Sequence, residues 1–332
     1  IEMEILPPSQ QVAAIKSGKY DLVFMASTDI FPEIEKFDNI NIATRKANYM
    51  NYIAFKLGKW DAEKNENIVN PNAKMYDINL RKAIAYAIDN DAIGEQFFHG
   101  LASTAKSQLS PSFPSLHNSD INGYRIDIEK AKKLLDDAGY KDVDGDGIRE
   151  GKDGKPIKFT FAMMSGGETA EPISQYYLQQ WKSIGLNVEL VDGRLLDFNN
   201  FYDRVEADDP AIDFCLAGIG FSSDPQQVSL FGKTAGFNIS RYTSDTLDAA
   251  LSATVSPEAM DDQKRIELYK NYERVFMDEL PVVPQLNKYE FLPVNKRVKM
   301  FDWTESRRGF GTEFDWSQLE LTAPEPIVDS KN

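Results

Sequence analysis

The run Ile157-Lys158-Phe159-Thr160-Phe161-Ala162-Met163, the segment Pro172 to Ile184, and the run Gly185-Leu186-Asn187-Val188-Glu189-Leu190-Val191 decide the fold. Ile157, Phe159, Phe161 and Met163 alternate with Lys158, Thr160 and Ala162, which is the period of a strand with one buried face. After Gly166-Gly167, the apolar residues Ile173, Tyr177, Trp181 and Ile184 recur at helical spacing, with Pro172 near the first turn and Gly185 at the stop. Asn187 to Val191 returns as a strand. Strand, helix and strand at this separation form a crossover unit, so the fold class is α/β.

The same grammar extends in both directions. Toward the N-terminus, Asp127 caps a helix over Ile128 to Ala138, with Ala131, Leu134, Leu135 and Ala138 inward and Gly139 at its end. Asn79 to Asn90 carries Leu80, Ala83, Ile84, Ala87 and Ile88 on one face and Arg81, Lys82 and Asp89 on others. Asp91 is placed to cap a following helix that Gly100 ends. Tyr49 to Leu57 reads as a strand followed by a polar loop from Gly58 to Asp77. Ser9 to Ser17 reads as a helix ended by Gly18, and Tyr20 to Met25 as a buried strand. Toward the C-terminus come a strand at Ile212 to Leu216, a short helix from Ser244, and a long helix capped by Ser256-Pro257. Strand-like runs follow at Val282 to Leu286 and Tyr289 to Val294. No internal repeat or low-complexity tract interrupts this order.

Composition narrows the function. The 332 residues hold 37 Lys+Arg against 52 Asp+Glu, a net charge of −15, which excludes a general nucleic-acid binder because no basic surplus exists to displace phosphate counterions. With 42% hydrophobic residues the chain can bury a sizeable core, and its length suits about two domains. No apolar run reaches the roughly 18 to 20 residues that span a bilayer. Ile1 to Pro8 lacks a signal-peptide pattern, so any targeting segment is expected outside this sequence. Cys215 has no partner for an internal disulfide and sits in an apolar strand run, where burial is the ordinary outcome. His99 and His117 complete no metal set, and no nucleophile elbow, phosphate loop or zinc-protease motif occurs. An enzyme would have to work mainly with carboxylates.

Two local constellations remain. In Asp142-Val143-Asp144-Gly145-Asp146-Gly147-Ile148, oxygen-bearing residues at every second position with Gly at position six match the first half of an EF-hand type calcium loop. Asp142, Asp144 and Asp146 would ligate by side chain, Ile148 by its carbonyl, and Asp153 stands at position twelve in place of the usual Glu. The same loop also reads as an acidic turn tied by Asp-to-backbone bonds. The second constellation is Ala217-Gly218-Ile219-Gly220-Phe221-Ser222-Ser223-Asp224-Pro225, where small residues let a ligand backbone approach, Phe221 offers a wall, and Asp224 could accept from an ammonium. Asp224 equally fits a turn or cap residue. Phe237 to Tyr242, containing Asn238, is a further polar and aromatic segment.

Several stretches together resemble the extracytoplasmic oligopeptide-binding proteins of ABC importers, solute-binding family 5. They are Ser17-Gly18-Lys19-Tyr20-Asp21-Leu22, Asn79 to Asp89, Ala131 to Tyr140, Trp181 to Leu190, Phe237 to Leu251 and Glu279 to Pro284. The pattern is most similar to receptors of Gram-positive bacteria and covers nearly the whole chain. The resemblance implies a periplasmic-binding-protein-like fold (type II, cluster C) with two lobes and mixed sheets flanked by helices, of which this sequence would be the C-terminal portion. Residues 1–47 would end the first lobe, 48–285 would form the second, and 286–332 would return to the first, with crossings at Tyr49 to Ala54 and Val283 to Phe291.

The resemblance further implies a non-enzymatic receptor, likened to a monomer, that captures oligopeptides by lobe closure and delivers them to the permease subunits of an ABC transporter. It would sit on the outer face of the cell membrane as a lipoprotein, held by an N-terminal lipid outside this sequence. No cofactor is required on this reading; the acidic loop separately offers a site for a structural Ca²⁺. By position, Phe221, Ser222, Ser223, Asp224 and Asn238 would bind ligand, with Asn51 and Tyr52 at the hinge. Relatives often carry Trp and Asp ahead of the Asp-Pro pair, where Ile219 and Ser222 stand here. That departure suggests longer or less end-restricted peptides. An oligosaccharide or nickel-complex binder and a carboxylate-dependent hydrolase are the competing readings.

Overall fold

The computed structural model describes residues 2–221, 224–299 and 319–330. In chain order its helices are α1 (Pro8–Lys16), α2 (Phe31–Ile34), α3 (Ile78–Tyr86), α4 (Asn90–Phe98), α5 (Ile128–Ala138), α6 (Ala170–Ser183), α7 (Phe198–Glu206), α8 (Val228–Phe231), α9 (Asp245–Ala253) and α10 (Asp262–Glu279). The strands are β1 (Ile40–Phe55), β2 (Gly58–Asp61), β3 (Glu66–Val69), β4 (Ala102–Thr104), β5 (Phe159–Ala162), β6 (Val188–Leu190), β7 (Phe214–Gly220) and β8 (Val282–Asn295). One sheet has the order β4-β8-β1-β7-β5-β6, and β2 with β3 forms a separate hairpin. The architecture is a mixed α/β fold. The chain divides into two compact units: Ile1–Asn48, Gly94–Ser103 and Lys288–Asn332 make the first, and Tyr49–Ile93 with Thr104–Asn287 the second. Strands β1 and β8 each run from one unit into the other.

In the second unit the predicted crossover is present. β5 pairs in parallel with β6 (Phe159↔Val188, Phe161↔Leu190) and with β7 (Phe161↔Phe214), and α6 connects β5 to β6. Its core is aromatic. The Phe161 ring lies 4.9 Å from Trp181 and 5.0 Å from Phe214, while Tyr177 stacks on Trp181 at 5.4 Å. All four side chains are essentially inaccessible, so each contributes close to its full transfer free energy, about 1.5–3 kcal/mol per large apolar group. The Trp181 indole N–H donates to the Ile84 carbonyl and so ties α6 to α3.

The first unit has a smaller core of Ile15, Val23, Ile34, Ile40, Leu101 and Phe291, with Phe31 edge-on to Phe291 at 5.4 Å. The Asn39 amide donates to the carbonyls of Ile15 and Ile327. A bidentate pair from Arg297 to Asp21, at 2.6 and 2.8 Å, fixes the segment after α1 against the end of β8.

Several sequence readings need correction. Tyr20 to Met25 is not a strand: Leu22 makes one isolated bridge to Val294, and Met25 is exposed with φ +52°. The apolar run there follows from contacts with β8 at alternate residues, without a continuous ladder. Gly58 to Asp77 contains the β2–β3 hairpin, and the Asp61 carboxylate accepts the Glu63 and Lys64 N–H groups in its turn. The cap of α4 is Asp89, which accepts from Ala92, while Asp91 pairs instead with Thr104 and Arg125. Ser256-Pro257 opens a short 3₁₀ turn, and Asp261 caps α10 by accepting from Lys264. The two strand-like runs after it form the single strand β8.

Arg81 departs most from an amphipathic reading. It is buried, and its guanidinium donates to the carbonyls of Met75, Tyr76, Glu279 and Leu280. It thereby satisfies carbonyls at the C-terminal end of α10, where a cation is favoured. Burial lowers its pKa to about 10.

A second buried charge group joins the residue after β1 to the end of α7, the turn that follows it and the loop that contains Asn238. Lys56 Nζ donates to Asp208 Oδ1 at 2.6 Å and to the carbonyls of Val205 and Ile239, and Arg241 Nε donates to the same Asp208 oxygen at 2.7 Å. Asp208 Oδ2 accepts the Trp60 N–H at 2.7 Å. Removing the carboxylate would leave two buried cations facing each other. Asp208→Ala is therefore expected to cost about 3–5 kcal/mol in urea unfolding at pH 7; a loss under 1 kcal/mol by the same measurement would contradict this role.

Candidate functional site

In the second unit, β7 is paired along one side and, among the described residues, only at its start on the other. β7 is antiparallel to β1 from Tyr49↔Gly220 through Asn51↔Gly218 to Phe55↔Phe214. On its opposite edge, β5 pairs with Phe214 and Cys215. The Asp213 carbonyl accepts from the N–H of Lys56, the residue after β1, so by alternation the backbone groups of even-numbered residues point away from β1. Leu216, Gly218 and Gly220 thus line an edge beyond the reach of β5.

The side chains around this edge share a geometry set by the pleat. Tyr49, Asn51, Gly218 and Gly220 occupy one face, because directly opposed residues and alternate residues point the same way. The Asn51 side chain faces the Tyr49 hydroxyl. That hydroxyl lies over Gly218 so closely that a Cβ there would collide with it and with the adjacent ring carbon. From α7, the Tyr202 hydroxyl approaches the Gly218 backbone. Two phenols therefore converge on one glycine, and Gly220, exposed, carries no side chain at the outer end. Burial raises the pKa of Tyr49 and of Tyr202, so both remain neutral hydroxyls at physiological pH.

The structure distributes the sequence-derived residues unevenly. Asn51 lies in this constellation. Tyr52 is one residue along but on the opposite face, buried, with its hydroxyl pKa pushed well up by desolvation. Phe221 is half-buried directly after Gly220, whereas Ser222 and Ser223 lie outside the described residues. Asp224 is exposed. Its Oδ1 accepts the Gln226 N–H at 2.9 Å and stands 3.6 Å from Arg265, which is the turn geometry. Asn238 is buried: its amide donates to the Phe231 and Tyr242 carbonyls and accepts from Ser240, so it shapes its own loop. Tyr49 and Tyr202 escaped the sequence reading. The signal for them was the Gly218-x-Gly220 spacing, which clears one face of a strand and invites a large neighbour onto it.

In the acidic loop, the carboxylates of Asp142, Asp144 and Asp146 converge within 4.8 Å of one another, and Asp153 does not belong to that group. Asp142 accepts the N–H groups of Gly145 and Gly147, Asp144 that of Asp146, and Asp146 that of Ile148. Asp153 accepts from Lys155 on a separate turn. The loop's carboxylates thus fold the loop itself, and all three are exposed.

Cys215 is fully buried, its thiol pushed up to about 12 by desolvation, so it is inert at neutral pH. His117 is a structural clamp. Nδ1 faces Glu273 Oε1 at 3.0 Å and Nε2 faces the Ser110 carbonyl at 3.1 Å. Both ring nitrogens meet acceptors, so only the imidazolium satisfies both. Burial presses the His117 pKa down, but the bond to Glu273 and its negative charge outweigh this, and the pKa is raised.

Taken together, the α/β fold and a strand end that pairs, among the described residues, with β1 alone provide a surface on which an extended ligand can lie. Residues 1–238 match the family of bacterial extracellular solute-binding proteins, family 5 (middle region), and the chain belongs to that family. It is 30% identical over 326 residues to the oligopeptide-binding protein OppA of Lactococcus lactis subsp. lactis, covering 97% of this chain and 53% of that protein. It is 26% identical over 299 residues to the oligopeptide-binding protein AppA of Bacillus subtilis, covering 88% of this chain and 50% of that one. Among solved structures, lactococcal OppA complexed with an endogenous peptide in the closed conformation superposes with a TM-score of 0.84 at 29% identity, over 95% of this chain and 58% of that chain. The chain spans about half the length of the curated relatives it matches. Among the described residues, no helix is long and apolar enough to cross a membrane.

Two expectations follow. Gly218→Ala should expel the Tyr49 ring and cost about 1–3 kcal/mol by overpacking. Adding Tyr49→Ala to it should cost less than the sum of the two single changes, and strict additivity in a double-mutant cycle would refute the contact. For His117, a raised folded pKa adds stability in full below the unfolded value of about 6.5, and that stability is lost as pH rises through the folded value. The stability gap between wild type and His117→Gln should accordingly be larger at pH 5.5 than at pH 8.5 in urea titrations. A gap that does not change with pH would dismiss the clamp.

Proposed function

We propose that this protein is an extracytoplasmic receptor that captures oligopeptides and delivers them to an ABC permease, with no bond made or broken. The observation that carries the reading is the open edge of β7 at Gly218 to Gly220, where an extended peptide can add as a strand. Recognition through the main chain is indifferent to sequence, because every residue but proline offers the same donor and acceptor. The names of the lactococcal and Bacillus relatives support peptides as the solute class. On this reading the two units belong to the two lobes of a receptor, β1 and β8 are the crossings between them, and capture proceeds by lobe closure. It acts as a monomer on the outer face of the membrane, tethered by a lipid.

Phe221 and the Tyr49–Asn51 pair flank the ligand backbone. Asp224, already engaged by Gln226 and Arg265, keeps the loop in place and leaves the peptide's terminal amine unheld. The test is to isolate the full-length protein from its own cells without refolding and identify bound small molecules by mass spectrometry. A heterogeneous set of intact peptides is expected. Recovery of oligosaccharide or a nickel chelate in their place, or conversion of added peptides into fragments, would overturn the proposal.

A further inference from the structure

In the first unit, the segment of residues 323–330 is held much as a bound peptide would be, by its main chain. Ile327 is 38% exposed and Val328 59%. Beneath them, the buried Asn295 at the end of β8 donates from its amide to the Ile327 carbonyl at 2.8 Å and accepts the Ile327 N–H at 3.1 Å. The buried Asn39 donates to the same carbonyl at 3.0 Å. The Asp329 N–H donates to the carbonyl of Lys16, the last residue of α1, at 2.9 Å, and its carboxylate accepts the Asp38 N–H at 2.8 Å. Asp38 in turn accepts the Ser330 N–H at 2.9 Å, and Arg297 donates to the Pro324 carbonyl at 2.6 Å. Gly18 completes the floor: its φ is +68°, and a Cβ there would lie 2.6 Å from the Ile327 carbonyl oxygen.

The geometry points to a preformed main-chain clamp on the first unit, made of Asn39, Asn295, the Lys16 carbonyl and the floor at Gly18, whose occupant is the chain's own segment 323–330, acting as a detachable strap. The clamp takes an extended segment with a carboxylate two residues beyond the residue gripped by the asparagines, and it takes that segment in trans once the tethered copy is released. This inference is independent of the peptide-receptor reading. An asparagine amide offers one donor and one acceptor, so Asn295 grips both main-chain groups of Ile327 whatever side chain stands there. Both amides are also held without the strap. Asn295 Oδ1 accepts the Arg297 N–H at 3.1 Å, and the Asn39 amide donates to the Ile15 carbonyl at 2.8 Å. Each therefore stays aimed at the position of Ile327 when the strap leaves, which lowers the cost of rebinding. The strap, with Ile327 and Val328 turned largely outward, opens at less cost than the core of Ile15, Val23 and Ile40 beneath it.

The experiment uses full-length protein and two measurements. Hydrogen exchange at the Asp329 and Ser330 amides reads the strap, and fluorescence polarisation with a labelled synthetic peptide of residues 323–330 reads the clamp. Ile327→Pro deletes the N–H that Asn295 accepts, and should speed exchange at both amides about tenfold or more, whereas Ile327→Val keeps the main chain and should stay within about twofold of wild type. The Ile327→Pro protein should then bind the labelled peptide at least about tenfold more tightly than wild type, which reports any capture elsewhere on the molecule. Methylating the peptide nitrogen of Ile327 should abolish that gain. Asp329→Ala, which removes the acceptor of the Asp38 N–H, gives a second released protein for both measurements if Ile327→Pro proves unstable. Exchange in Ile327→Pro as slow as in wild type would overturn the clamp. So would a released strap with peptide binding no tighter than in wild type, or an Ile327→Val change that frees the strap as fully as Ile327→Pro.

Discussion

The antiparallel register of β1 against β7 is the constraint on which the site depends. Pairing Tyr49 with Gly220 and Asn51 with Gly218 sets two glycines opposite two polar side chains on one face. A slip of one residue would exchange faces, putting Ile219 under the Tyr49 hydroxyl and the Gly218 edge out of reach of Tyr202. That register is held by the inner part of the same ladder. Phe55 and Phe214 are opposed in the same ladder, and Phe214 packs against Phe161 and Trp181. Burying those rings on one face is worth several kcal/mol, far more than any contact at the strand end, so the core chooses the register and the site inherits it.

Buried charges complete the frame. Lys56 follows Phe55 at the end of β1 and is drawn inward by Asp208, which also binds Arg241 and the Trp60 N–H. The pair of cations locks the chain after α7 to the loop that contains Asn238. Arg81 does the same between α3 and the end of α10. Each uses backbone carbonyls as acceptors, so the cation acts as a structural cross-link and is not offered to solvent. Such groups stabilise geometry more than they stabilise the fold, since a well-packed apolar substitute can equal them in free energy.

How much of this was legible beforehand depends on whether the signal was local. The β5–α6–β6 crossover, the Asp127 and Ser244 caps and the Gly139 terminator were readable because each is decided within a few residues: Gly139 adopts φ +91°, and Asp127 accepts from Lys130. Tyr20 to Met25 was misread since an apolar run does not say whether a partner strand runs beside it. Arg81 was read as lying off the buried face and Lys56 received no reading, because their acceptors lie 198 or more and 149 or more residues away in the chain, with the exception of Met75 and Tyr76 for Arg81. At the site, the glycine spacing of β7 was visible, but the phenols that use it come from β1 and α7, and only the register reveals that they meet. Asn238 illustrates the converse. A polar residue in a loop looks available in one dimension and proves to be fully bonded in three.

An open strand edge is ordinarily a hazard, because unpaired N–H and C=O groups invite other chains. Here the hazard is limited by the same features that make the edge useful. It is short, ending at Gly220, and two of its last three residues are glycines that present no apolar side chain to an intruding sheet. Its inner end is faced by the Tyr202 hydroxyl from α7, a helix that Phe201 and Val205 anchor in the core. Aggregation needs several consecutive ladder bonds with a partner of matching length. A single peptide needs few, provided other contacts hold its remainder. An edge limited to a few residues therefore discriminates by length of pairing against sheets, and on the proposed function it leaves room for a short extended ligand.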